Sequence, residues 1–318
     1  MRHSKVEAKT GLVLVKDFVG VDQDDRPLRR ERDAGLRRRI RRGVYADAGR
    51  WEALTASERY QARVMAAVRT RHRVPVVGYD SAAVMLGYPR MEAWPGVVHL
   101  IVPSASNARS KNGVMVHREQ LEFDEVVEVD GIMVTSPQRT LVDLARVQTL
   151  SISVAAIDRS FNLERSTEQN RATREQLLDV HDRLRTTRGR RQASKAIMFA
   201  NGLADNPGES KSRVVAFELG FPPPELQRRH VNPRGGSYYT DLEWPEFHTI
   251  GEFDGLGKYF KEEYLGRKTP GEAMHEEKVR EDHLRAEGNA FARWEPRDIG
   301  DPARLQKILL GVGLPIVR

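Results

Sequence analysis

Cysteine is absent from all 318 residues, and this gap removes disulfide frameworks, thiolate zinc sites and thiol nucleophiles together. Long apolar runs are missing too. No stretch of about 18 apolar residues occurs, so no membrane-spanning helix is expected. The opening Met1-Arg-His-Ser-Lys-Val-Glu7 has no apolar core of the kind that heads an exported chain, and the expectation is a cytoplasmic protein with no membrane association. No Gly-x-x-x-x-Gly-Lys-Ser/Thr loop is present, which argues against nucleotide hydrolysis of the P-loop type. Ser81 and Ser210 have no nucleophile-elbow context, and His230, His248 and His275 share no spacing or carboxylate partner that suggests zinc. Lysine is scarce, with 11 residues against 41 arginines.

The hydrophobic fraction of 39% is enough for well-filled cores, and the length suits two or three domains. Charge is distributed unevenly. Residues 26–42 hold nine arginines against Glu31 and Asp33, a net +7 that equals the formal charge of the whole chain. Residues 201–318 sum to about −3 and the first 200 to about +10. Nine cations in seventeen residues repel one another without a polyanion, so nucleic acid is the expected partner.

Three modules are expected, giving a multidomain chain of α+β and α/β character. The first, 1–70, reads as a helix over Val6–Val19, a second over Arg26–Arg32, a stop at Gly35 and then a hairpin. Leu36, Arg38 and Ile40 alternate with Arg37, Arg39 and Arg41, and Gly43 turns the chain into Val44-Tyr-Ala46, as in the wing of a winged helix-turn-helix. The second helix would enter the major groove of double-stranded DNA. Arg26, Arg29, Arg30, Arg37, Arg39, Arg41 and Arg42 would meet phosphates, which supply affinity more than specificity. The second module, 71–204, is a mixed α+β domain with strands at Val74–Gly78, Val97–Val102, Gly113–His117 and Val126–Val134. Ser136-Pro137 opens a helix over Gln138–Arg146, and a Thr173/Gln176 capping box precedes another over Leu177–Leu184. A last helix runs to Asn201. Asp143 and Asp158 read as ordinary surface or capping acids. The third module, 205–318, follows the break at Asn206-Pro-Gly208 and orders as α-β-β-β-α-β-α, a mixed sheet with flanking helices.

The carboxylates of this last module carry its chemistry. Side chains alternate along a strand, so Glu252 and Asp254 share a face, and a hairpin could bring Asp241 from the preceding strand beside them. Three converging carboxylates suit a hard cation. Mg²⁺ or Mn²⁺ is expected, a metal that lowers the pKa of a bound water and neutralises charge on a transferring phosphate.

The element order, with Asp241-Leu-Glu-Trp244, Gly251-Glu-Phe-Asp-Gly255, Pro207-Gly-Glu-Ser210, Pro224-Glu-Leu-Gln227, Lys258-Tyr259 and Arg293-Trp294, resembles the PD-(D/E)XK nuclease superfamily with its restriction-endonuclease-like fold. The closer resemblance is to very-short-patch-repair-like nuclease domains of unknown function, over about 205–311. It implies metal ligation by Asp241 and Glu252. Asp254 stands where the superfamily usually has lysine, so Lys258, or Lys278 after it, would take over that role. Glu209 matches the helix acid that often completes such sites, and Gln227 a polar residue near the metal-bound water. Upstream, Arg41-Arg-Gly-Val-Tyr45, Asp80-Ser-Ala-Ala83, Val98-His-Leu-Ile-Val-Pro103 and Val134-Thr-Ser-Pro-Gln-Arg-Thr-Leu-Val-Asp-Leu144 resemble actinobacterial AbiEi-type antitoxins of type IV toxin–antitoxin systems.

Together the resemblances imply a DNA-binding protein that hydrolyses DNA phosphodiesters in defence against phage or foreign DNA. The rival is a regulator or antitoxin whose rear domain is catalytically silent. A toxin partner and oligomers are compatible with either.

Overall fold

The computed structural model describes residues 4–18, 25–255 and 269–317. The chain forms a mixed α/β structure with several sheets and divides into two compact units, Met1–Gln148 with Thr167–Ser194, and Thr149–Ser166 with Lys195–Arg318. No helix among the described residues is long and apolar enough to cross a membrane.

The first unit begins with α1 (Lys5–Thr10), whose Ser4 and Glu7 form a reciprocal capping box. The expected helix over Val6–Val19 ends early, because Gly11 takes a left-handed conformation at the C-cap, φ 61°. The chain then enters β1 (Val13–Leu14) and α2 (Val15–Phe18). After the arginine-bearing α3 (Arg26–Asp33), anchored by buried Leu28, come β2 (Arg37–Arg41) and β3 (Val44–Asp47). They pair antiparallel across the Gly43 turn, and β1 pairs with β3, giving the sheet order β1-β3-β2. The register shifts between Arg39 and Arg41, so the alternation read from the sequence breaks at Ile40.

Two helices that the sequence reading passed over follow, α4 (Ala48–Ala53) and α5 (Ala56–Arg69). Thr55 and Glu58 cap α5 reciprocally, and it buries Tyr60, Val64, Met65 and Val68, roughly 1.5–3 kcal/mol for each large apolar side chain. Beyond it, β4 (Val76–Val77), the wholly buried α6 (Tyr79–Met85), β5 (Val98–Val102), β6 (Val114–Arg118), β7 (Val126–Val129) and β8 (Ile132–Thr135) build a sheet of order β6-β5-β4-β8-β7. The strand expected over Val126–Val134 is two strands. Asp130 and Gly131 both have positive φ, 51° and 77°, and turn the chain back on itself. Ser136 caps α7 (Pro137–Val147) by accepting from the Arg139 N–H at 3.3 Å.

In the second unit, α8 (Leu150–Phe161) packs against a helix of residues 207–218. The elements α9 (Arg174–Arg183) and α10 (Arg190–Phe199) precede that helix in the chain, which makes it α11 (Pro207–Glu218). Asn206 caps α11, accepting from the N–H groups of Gly208 and Glu209 at 2.8 and 3.1 Å. Next come β9 (Glu225–Val231), β10 (Ser237–Trp244), β11 (Thr249–Phe253), α12 (Pro270–Ala286), β12 (Ala290–Trp294), α13 (Pro296–Ile299) and α14 (Pro302–Gly311). The sheet order is β12-β11-β10-β9, antiparallel except for the parallel β11/β12 pair.

Two glycines permit this packing. A Cβ on Gly208 would lie 2.0 Å from the Phe253 ring, and one on Gly251 would lie 2.4 Å from Trp294 and 2.9 Å from Trp244. The indole N–H groups of Trp294 and Trp244 donate to Ser212 Oγ and the Pro222 carbonyl, both at 2.7 Å. Several residues that carry the nuclease resemblance therefore pack the sheet against α11.

Candidate functional site

The sheet register decides which carboxylates meet. The β10/β11 ladder pairs Leu242 with Gly251, and one step further along the same diagonal sets Asp241 opposite Glu252 on one face. Asp241 Oδ2 accepts from the Phe253 N–H at 3.1 Å. Glu252, 4% exposed, lies between two guanidinium groups. Arg280 from α12 donates to one carboxylate oxygen at 2.5 Å, and Arg293, its partner in the parallel β11/β12 ladder, approaches the other at 3.0 Å. Arg293 also reaches Asp254 at 3.4 Å, Glu277 at 2.8 Å and Glu281 at 2.9 Å, and Arg280 reaches Glu277 at 2.8 Å.

The proton affinities follow from this crowding. Burial pushes Glu252 up, with Arg280 opposing and the like charge of Asp241 adding to the rise. Burial also pushes Glu277 upward, but hydrogen bonds and charge from Arg280 and Arg293 prevail and hold it down at about 2. Both arginines keep their protons more firmly than usual against the effect of burial, chiefly through Glu277 and Glu252.

Glu252 is thus ion-paired on both sides by arginines of this chain. Both oxygens of Glu252 already accept from guanidinium groups, and among the described residues no group of three His, Asp or Glu side chains could hold a metal ion. Glu209, read as the helix acid of the site, is buried in the first turn of α11. It accepts from the Asp205 N–H at 2.8 Å and from Asn206 Nδ2, and Gln227 Nε2 reaches it at 3.5 Å. Lys258 lies outside the described residues. Lys278 is exposed on α12.

The arginines of the first unit differ in their pairing and exposure. Arg37 pairs with Glu31 at 2.8 Å and Arg38 with Glu52 at 3.0 Å, Arg38 also lying over the Trp51 ring. Arg29 pairs with Asp25 at 2.9 Å. Arg26 and Arg30 on α3 are exposed, as are Arg39 on β2 and Arg42 at the turn. Arg41 is half-buried.

A third constellation escaped the sequence reading. Arg139, 1% exposed, donates to Glu125 and Asp143 at 2.9 Å each and to Glu119. Tyr79 donates to Glu119 and stacks on His117, which meets His99 at 2.9 Å. Asp80 accepts from Arg90 and, at 2.7 Å, from Gln148. Asp143 is therefore no surface acid: it is fully buried as a partner of Arg139 and Arg146. Asp158 is buried too, accepting from Ser210 Oγ and Arg213 at 2.8 Å each and from the Asn201 N–H at 2.9 Å. The helical i, i+4 spacing of Arg139 and Asp143 was the available signal.

The spacing Ser136-Pro-Gln-Arg139 with Asp143 thus builds a cap and a buried ion-pair network within a longer stretch of recognisable sequence. Residues 75–195 match the AbiEi antitoxin C-terminal domain. Two uncharacterized proteins of Mycobacterium tuberculosis, MT2308 from strain CDC 1551 and Rv2248 from strain H37Rv, are each 29% identical over 188 residues. Those alignments span 58% of this chain and 64% of each relative, just under two thirds of their length. The crystal structure of the RV2827C protein from Mycobacterium tuberculosis gives a TM-score of 0.38 at 16% identity, over 63% of this chain and 74% of that one, a likeness too remote to carry an argument. The AbiEi-type segment contains the whole Tyr79–Gln148 network.

Proposed function

We propose that this protein is a cytoplasmic DNA-binding regulator of the antitoxin kind, with a toxin as partner. The observation that carries the reading is the AbiEi antitoxin match over residues 75–195, directly downstream of the arginine run at 26–42. The order α1-β1-α2-α3-β2-β3, with β1 pairing outside β3, supports a winged helix-turn-helix at 1–70. In that frame α3 offers Arg26, Arg29 and Arg30 to the major groove, and the hairpin offers Arg39, Arg41 and Arg42 to phosphates. Residues 71–204 form the antitoxin-like domain of this proposal, and 205–318 a nuclease-like domain without catalytic activity. The silence of the rear domain is supported by Arg280 and Arg293, which neutralise Glu252, Asp254 and Glu277. A gel-shift and footprinting assay on the DNA upstream of its own coding sequence tests the reading. A protected site supports it, and no binding at low salt sinks it.

A second reading, Mg²⁺- or Mn²⁺-dependent endonuclease, is favoured by one observation: the mixed β12-β11-β10-β9 sheet sets Asp241 opposite Glu252. It requires Arg280 and Arg293 to release Glu252. Nicking of supercoiled plasmid that needs either metal and is lost in both Asp241→Ala and Glu252→Ala would establish it.

A further inference from the structure

Two cations of the first unit stand apart from their neighbours. Arg41 ends β2 at the bulge, and Arg71 follows α5, its N–H bonded to the Val68 carbonyl at 3.0 Å. Helix α5 packs against β2. Around them arginines are matched by acids: Arg37 with Glu31, Arg38 and Arg59 with Glu52, Arg69 with Glu7. Among the described residues neither Arg41 nor Arg71 meets a carboxylate. Both are half-buried, and Arg71 Nε is fully enclosed with no hydrogen-bond partner. Arg41 holds its proton less firmly than usual, through burial first and the positive field of Arg71 second. Two neighbouring, partly desolvated cations without a carboxylate cost free energy, and an anion held by their guanidinium groups would relieve that cost.

We infer that Arg41 and Arg71 form a clamp for a backbone phosphate of duplex DNA, which extends the nucleic-acid surface from the hairpin onto Arg71-His-Arg73. The inference rests on the DNA-binding reading. Guanidinium suits the role because its planar fork presents paired donors to phosphate oxygens and stays charged when desolvated. His72 and Arg73, both exposed, continue the positive arm. By sequence this run falls at the start of the second module, 71–204, with no role given to it.

The test is a fluorescence-anisotropy titration of the full chain with a short mixed-sequence DNA duplex, over roughly 50 to 200 mM salt. Arg41→Gln and Arg71→Gln should each lower the slope of log affinity against log salt by about 0.9 and weaken binding roughly three- to ten-fold. Arg71→Lys should restore the slope, and exposed Arg185→Gln should leave it unchanged. Melting temperatures should hold or rise slightly, since each Gln variant relieves repulsion between the pair. A wild-type slope in Arg71→Gln, or an equal loss in Arg185→Gln, overturns the clamp and leaves DNA binding standing. A fall of several degrees in the melting temperature of Arg71→Gln, with no rescue of the slope by lysine, overturns it as well. If the wild type fails to bind the duplex at low salt, the DNA-binding reading falls and the clamp with it.

Discussion

Arg139 gathers three acids around one guanidinium in the interior of the first unit, and Asp158 does the converse in the second, collecting donors from Ser210, Arg213 and Asn201. Such groups stabilise only as complete sets. Arg139→Met should therefore cost about 3–5 kcal/mol, because Asp143 and Glu125 would stay buried without their cation, and urea denaturation of the variant measures it. The paired histidines make a pH prediction. Burial, and then the positive field of His99, lower His117 to about 4, and burial also lowers His99. An unfolded chain takes up these protons nearer pH 6.5, so stability present above roughly that pH is lost as the pH falls toward 4. Melting temperature should drop on acidification from about pH 7 to 5, and His117→Gln should flatten the dependence. Only the Arg139/Asp143 spacing of this network was legible in advance. Its members come from α6, β5, β6 and α7, and residues far apart in sequence betray a shared burial only once the strands are paired.

At the level of elements, caps and turns were the most readable features. Ser136 and the Thr173/Gln176 box start their helices where expected, because each satisfies amide donors within its own first turn, whereas Asn206, expected as part of a break, caps a helix that begins at Pro207. After residue 205 the expected α-β-β-β-α-β-α order differs among the described residues by the short α13, and strand ends agree within one or two residues for β10, β11 and β12. Helix α6 was missed for the opposite reason: every residue in it is buried, and a helix buried all round has no one-sided pattern to detect. The hairpin at Asp130-Gly131 was missed although that dipeptide favours a two-residue turn, because the valines on both sides read as one run. The tight seats of glycine give a prediction at this scale. Gly208→Ala should destabilise by about 1–3 kcal/mol, because a methyl group would overlap the Phe253 ring and force α11 and β11 apart. Thermal unfolding of the variant checks this.

Across the whole molecule, charge separates the two expected roles. The basic excess of the first 200 residues and the acidic balance of the remainder predict that DNA affinity responds to substitutions in one stretch only. Arg39→Gln combined with Arg42→Gln should lower the salt slope by about 1.8, as expected for two lost phosphate contacts. Glu252→Gln should leave binding to the same duplex unchanged. Anisotropy titrations on the three proteins decide between this and an interface that spreads into the acidic stretch. Strand alternation and a hairpin suffice to bring Asp241 near Glu252, whose proton affinity its charge raises. The neutralising arginines were not anticipated, because Arg280 and Arg293 arrive from α12 and β12 and only the folded sheet reveals their aim.

The counter-charge of Glu252 is thereby part of the polypeptide itself. A bound metal can be stripped by a chelator or lost as the free ion is diluted, but a guanidinium on α12 is tethered at fixed local concentration and keeps its proton across the physiological pH range. Glu252 is consequently shielded from the ionic composition around it, and a displacement of α12 or β12 would expose it.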